Sequence, residues 1–111
     1  MSDTLKILGQ IAPNATTETD LYVVPASNQT TISSLVIANR DSGAATYRIS
    51  VSATGAATSN KDYLIYDKAL NGNTSDTIVI GITLNETDKI RAYASTANLS
   101  FNAFGCETSE D

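Results

Sequence analysis

Apolar residues recur at every second position in short runs along this chain, and Asn, Asp, Gly, Ser and Pro separate the runs. A period of two marks a strand with one buried side, and no window of about a dozen residues holds the 3.6-residue repeat of a helix. In residues 45–52, Tyr47, Ile49 and Val51 are expected inward, with Thr46, Arg48, Ser50 and Ser52 outward. In residues 74–84, Ile78, Ile80, Ile82 and Leu84 form one expected apolar face. Gly81 inside that run marks a bulge or a close backbone approach. Ile90, Ala92 and Ala94 are expected inward in residues 89–95, and Leu99, Phe101 and Ala103 in residues 99–104.

Two runs depart from simple alternation. In residues 30–39, Ile32, Ser34, Val36 and Ala38 share one side while Leu35 and Ile37 share the other. Apolar residues on both sides predict a strand covered on both faces. With residues 45–52 it reads as a hairpin about the turn Arg40-Asp41-Ser42-Gly43. In residues 5–11, Leu5, Ile7, Leu8 and Ile11 cannot all be buried on one side of one strand. Pro13, which has no amide hydrogen for a ladder, ends that run. Residues 1–14 are therefore a strand of the protein's own sheet or an arm reaching a neighbouring subunit. Adding residues 21–24 and 61–67 gives about eight short strands, an all-β antiparallel β-sandwich or jelly roll spanning residues 15–105. Residues 106–111, polar and acidic, read as a flexible tail.

Composition narrows the chemistry. The 111 residues include no His and no Trp, with Cys106 the only cysteine. No Ser-His-Asp or Cys-His device, intramolecular disulfide or single-chain Cys/His zinc site is possible. Seven basic residues against twelve acidic ones give a formal charge of −5. The basic residues are scattered, so neither nucleic acid nor an anionic membrane is an expected partner. The opening Met1-Ser2-Asp3-Thr4-Leu5-Lys6 lacks the basic and long apolar regions of a secretory signal, so folding in a cytoplasm without export is the expectation.

Few constellations carry chemistry. Asp62 and Asp67 flank residues 63–66, and Glu86 and Asp88 share one turn. Paired carboxylates serve glycoside hydrolysis or calcium binding, but these lack supporting partners and no calcium-loop motif is present. Neither enzymatic activity, cofactor nor metal is expected. Of the five tyrosines, Tyr47 is assigned to the core, and Tyr63 and Tyr93 are the better interface candidates, having an apolar body and a polar tip. Arg48 and Arg91 project from outward strand positions, to pair with Asp62, Asp67 or a neighbouring subunit's carboxylate. Leu5, Ile7, Leu8 and Ile11 complete the candidate interface residues. Cys106, beside acidic residues, is expected to be inert.

The run Leu5-Lys6-Ile7-Leu8-Gly9-Gln10, then Thr19-Asp20-Leu21-Tyr22-Val23-Val24-Pro25-Ala26, resembles the opening of a family of small virion proteins of tailed bacteriophages, including cyanophages. Ser33-Ser34-Leu35-Val36-Ile37-Ala38-Asn39-Arg40 and Ala45-Thr46-Tyr47-Arg48-Ile49 look like the same family. So do Ile90-Arg91-Ala92-Tyr93-Ala94-Ser95 and Leu99-Ser100-Phe101-Asn102-Ala103-Phe104-Gly105. The resemblance covers residues 5–107. It implies a structural component of the virion, assembled in the host cytoplasm. The expected form is a homo-oligomeric capsid decoration or cement protein that binds the major capsid protein or other virion proteins. The alternatives are a tail, neck or baseplate component touching the host surface, and a carbohydrate-binding module.

Overall fold

The computed structural model describes residues 2–109. Eight strands, β1 (Ser2–Ile11), β2 (Thr19–Val23), β3 (Asn28–Asn39), β4 (Ala45–Ser52), β5 (Tyr63–Leu70), β6 (Ser75–Leu84), β7 (Lys89–Ala94) and β8 (Leu99–Ser109), make up the fold. Two short 3₁₀ turns, Ala53–Gly55 and Asn60–Asp62, lie between β4 and β5. The strands form two four-stranded sheets, ordered β1-β8-β3-β6 and β2-β7-β4-β5, with every pairing antiparallel. Only β4 and β5 follow one another within a sheet; every other connection crosses from one sheet to the other. This all-β sandwich has jelly-roll topology, in which chain termini meet as neighbouring strands.

The β3–β4 hairpin expected from the sequence is therefore not formed. Residues 40–44 turn a corner between sheets instead. Asn39 holds that corner, its Nδ2 donating to the carbonyls of Gly43 at 2.9 Å and Leu70 at 3.1 Å. A hairpin turn and an inter-sheet corner use the same turn residues, so composition does not separate them.

The core lies between the sheets and contains Leu35, Ile37, Tyr47, Ile49, Ile90, Leu99 and Phe101, each nearly inaccessible to water. Tyr47 and Phe101 meet edge to face across it, with ring centroids 6.0 Å apart. The inward sets expected for β4, β7 and β8 are the observed ones, with Val51 partly buried against the core. β3 and β6 differ because both carry bulges. Between Ile32 and Ser34, β3 has one residue more than β8. The extra residue shifts the phase, so Ile32, Leu35 and Ile37 all point inward and Val36 points out. An apparently two-faced apolar run is thus a one-faced strand with a bulge. In β6 the extra residue lies at Ile80-Gly81, opposite Ser33. Ile82 and Leu84 are buried, but Ile80 is 38% exposed, which corrects the expected unbroken face. Gly81 marks the bulge rather than a close approach, since a Cβ there would meet open space.

The N-terminal segment is a strand of the protein's own sheet, paired with β8 from Ser2↔Ser109 to Ile11↔Phe101. The same pairing corrects the expected tail, because Cys106, Glu107, Thr108 and Ser109 continue β8 between β1 and β3. Glu110 and Asp111, also assigned to that tail, lie outside the described residues. Gly9 and Gly105 are close-approach positions. A Cβ at Gly9 would collide with the Leu21 carbonyl of β2, and one at Gly105 with the Thr31 carbonyl beside the β3 bulge.

Two polar clasps join the sheets at separate points. The Tyr22 hydroxyl of β2 donates to Glu107 of β8, which also accepts from Lys6 of β1 at 3.0 Å. The Tyr47 hydroxyl of β4 donates to Asp76 of β6 at 2.8 Å, and Lys68 of β5 reaches the same oxygen at 2.6 Å. The Tyr22 hydrogen bond, helped by Lys6, holds the Glu107 carboxyl below its ordinary pKa. Lys68, then Tyr47, do the same for Asp76. Burial, reinforced by the facing carboxylates, pushes both tyrosine hydroxyls up. Neither phenol is left buried without a partner, which would cost about 1–3 kcal/mol.

Candidate interaction surfaces

Each sheet has one face on the core and one outside, and the sequence-derived candidates divide between the two outer faces. Tyr63, Tyr93, Arg48 and Arg91 lie on the face of β2-β7-β4-β5. Arg48 stands opposite Tyr93 in the β4–β7 register. Its guanidinium is sandwiched between rings, 4.2 Å from the Tyr66 centroid and 4.3 Å from that of Tyr93. Asp67 clamps the same guanidinium from the side through two bonds, 2.6 Å to Nε and 3.2 Å to Nη2. Tyr63 packs edge-on against Tyr66 at 4.9 Å.

The β5 backbone builds this cluster. Two register shifts against β4 fall between Tyr47 and Ser50, and Asp67 adopts a left-handed φ of 51°. Strict alternation would place Tyr63 and Tyr66 on opposite sides; the irregularities turn both outward around inward Ile65. Tyr66 was not singled out as an interface candidate in the sequence, yet its ring is the most exposed of the cluster at 58%. The ion pair with Arg48 holds the Asp67 carboxyl below its ordinary pKa and raises that of Arg48.

Arg91 acts within the chain. Its Nε pairs with Asp20 at 3.0 Å, and Nη1 donates to Ser52, Ala56 and Thr58 at 2.8–2.9 Å. It thereby ties β7 to β2 and to the loop after β4. Its partner is Asp20 rather than Asp62 or Asp67. Ser50 and Ser52, expected to be solvent-facing, are covered to 2% and 1% exposure on this face.

The suspected carboxylates all have local structural partners. Asp62 caps its 3₁₀ turn by accepting from the Ser59 amide at 2.9 Å, which lowers its pKa. Glu86 accepts from the Ser27 amide at 2.7 Å, and Asp88 from the Thr54 and Asn85 amides at 2.8 and 2.9 Å. Among the described residues, no three His, Cys, Asp or Glu side chains come together in a metal-holding group.

The second face belongs to β1-β8-β3-β6. The pairing places its outward residues in rows running β1 to β6: Leu5, Cys106, Thr31, Thr83; Ile7, Phe104, Ser34, Val79; and Gln10, Asn102, Val36, Thr77. None of these twelve carries a charge; the next row, Asp3, Thr108 and Gln29, carries one carboxylate, that of Asp3, which accepts from the Thr108 hydroxyl at 2.9 Å. Leu5 and Val79 are 86% and 85% exposed, and Ile7 51%. The β1 candidates split across the sheet because of a bulge between Ile7 and Gly9. Leu8 is buried and Ile11 packs against the core, while Leu5 and Ile7 stand outside.

No protein-family model matches this sequence, and no curated protein matches it either. Solved structures do. A chain from the crystal structure of the T13 particle of infectious bursal disease virus (IBDV) superposes with a TM-score of 0.53 at 12% identity, over 95% of this protein and 30% of that chain. A chain from the structure of the virus's Gx strain gives 0.56 at 11% identity, over 96% and 32%. A pentameric capsid protein isolated from metagenomic phage sequences aligns over 93% of this protein and 60% of that chain at 16% identity, with a TM-score of only 0.43. This protein thus spans about a third of the length of the virus-particle chains it matches, and what it shares with them is the fold.

Proposed function

We propose that this protein is a structural component of a virion, and specifically a decoration or cement protein that binds the outside of a bacteriophage capsid. One observation carries the reading: nearly the whole chain superposes on a segment of a virus-particle protein. The sequence resemblance to tailed-phage virion proteins supports it independently and adds the phage setting. The chain's lack of histidine agrees with a binding role.

The Tyr–Arg cluster is the surface proposed to meet the major capsid protein or another virion protein. Tyrosine and arginine dominate binding energy at interfaces, because rigid aromatic area is buried with little loss of side-chain freedom. Tyr66 is exposed, while Tyr63, Tyr93 and Arg48 fix its setting. The rings enter an interface already ordered.

Quantitative mass spectrometry of purified particles tests the placement. A copy number comparable with that of the major capsid protein is the expected result. A few copies per particle would move the protein to the tail, neck or baseplate, and absence from particles would overturn the reading. Re-addition of Tyr66→Ala protein to particles stripped of the native chain tests the surface, with binding expected to fall at unchanged melting temperature.

A further inference from the structure

Among the described residues, seven large apolar side chains are exposed, and four of them, Leu5, Ile7, Val79 and Ile80, lie on β1 and β6, the two edge strands of one sheet. Between them, Phe104 and Val36 are half-buried on the same outer face. Three successive rows across this face hold no charged residue, and the next holds only Asp3, although the chain has nineteen Asp, Glu, Lys and Arg residues in all. Soluble proteins seldom leave so broad a weakly polar surface uncovered unless something binds it.

We propose that this face is the contact between two copies of the chain, which pack sheet against sheet about a two-fold axis. Charge selects the occupant. A partner bringing ions to this surface would strip them of water and find no counter-charge, an uncompensated cost. The partner face must itself be nearly uncharged, and this chain offers such a face only here: its other outer face carries Arg48, Arg91, Asp20 and Asp67, whereas this one carries a single carboxylate, Asp3, at the corner of the sheet. Two copies of an acidic protein repel one another over most of their surfaces at a net charge of −5 each. This is the face through which they meet with the fewest opposing like charges. A two-fold arrangement sets each copy's patch on the same patch of the other.

Size agrees. The whole outer face, Asp3's row included, has four strands spaced about 4.8 Å apart and about ten residues long, a footprint of roughly 600 Å² per copy. The pair then buries about 1,200 Å², the lower end of the range for stable, specific interfaces. Stacked sheets lie about 10 Å apart with side chains interdigitating, and Leu5, Ile7, Phe104, Val36 and Val79 are the side chains that would interdigitate.

The proposal does not rest on the virion reading, and its test uses the purified chain alone. Sedimentation equilibrium is expected to show a monomer–dimer equilibrium that tightens as salt rises, because salt screens the repulsion between the acidic bodies. Val79→Glu places a carboxylate at a position 85% exposed in the single chain, so folding is preserved. It is expected to weaken dimerisation about a hundredfold, since an unpaired charge is buried in the contact. Cys106, the sole cysteine, sits on this face beside Leu5 and Thr31. Its labelling by a maleimide should slow as protein concentration rises in the wild type and stay constant in Val79→Glu. A monomer at all concentrations, a Val79→Glu protein that dimerises normally, or labelling independent of concentration would each overturn the proposal. A monomer whose Val79→Glu variant loses binding to particles would assign the face to the capsid instead.

Discussion

On the face of β2-β7-β4-β5, each arginine ends on a carboxylate and the exposed rings stack around Arg48. On the face of β1-β8-β3-β6, Leu5, Ile7 and Val79 project with no charge in their own rows. The strands of the first sheet run 5–8 residues and those of the second 10–12, yet both sheets cover one core, so the contrast in chemistry lies in what the outward positions were given. The first face satisfies its polar groups within the chain and offers rigid aromatic surface. The second face pairs Gln10 with Asn102 and Thr108 with Asp3, and leaves Leu5, Ile7 and Val79 exposed. One fold thus presents two different outer surfaces, one pre-ordered and charged, the other weakly polar.

The largest expected effect comes from the core that both sheets share, which fixes what counts as inside. Phe101→Ala should cost about 3–5 kcal/mol, because Phe101 is 1% exposed and packs edge-on to Tyr47. Chemical denaturation checks it; a small loss would mean the sheets are not packed as described. Next is the clasp at Asp76. Tyr47→Phe removes a hydrogen bond to a carboxylate and should cost about 1.5–3 kcal/mol. Both clasps also set an acid limit. Asp76 and Glu107 have ordinary values of 3.8 and 4.5 and are lowered by folding. A carboxyl that holds its proton less tightly when folded adds stability above its unfolded value, and this is lost as the pH falls through the folded value. Melting temperature should hold steady above about pH 5 and drop below about pH 4, and the drop should be shallower in Glu107→Gln.

Smaller effects separate the two outer faces. Arg91→Ala removes bonds to Asp20, Ser52, Ala56 and Thr58, so limited proteolysis should cut residues 53–58 faster while the rest of the fold persists. The pair Ser50→Asp and Ile80→Asp sharpens the contrast: the covered serine should be the costlier site, because Ser50 is 2% and Ile80 38% exposed. Val79→Glu should change unfolding free energy least, within about 0.5 kcal/mol.

The all-β class and the inward residues of β4, β7 and β8 were legible because alternation there is unbroken. Val36, Ile80 and Tyr66 were not, for one shared reason. Each sits at or beyond a bulge, and one extra residue reverses the facing of every side chain that follows. Pairing was hidden too. β1 meets β8 across almost the whole chain length, and the signs of that meeting, Lys6 with Glu107 and Gln10 with Asn102, are spread across it. The Tyr–Arg cluster was half legible. Arg48, Tyr63 and Tyr93 stood out by residue type and outward phase, whereas their convergence with Tyr66 and Asp67 depends on the irregular β5 backbone.

Hydroxyl-radical footprinting of the purified protein across a dilution series tests the contrast between the two faces most directly, because it reads side-chain exposure residue by residue. The account predicts that Leu5, Ile7, Phe104 and Val79 are oxidised faster as the protein is diluted, while Tyr63, Tyr66 and Tyr93 react at the same rate throughout. Protection that follows concentration at the tyrosines and is absent from Leu5, Ile7 and Val79 would contradict it.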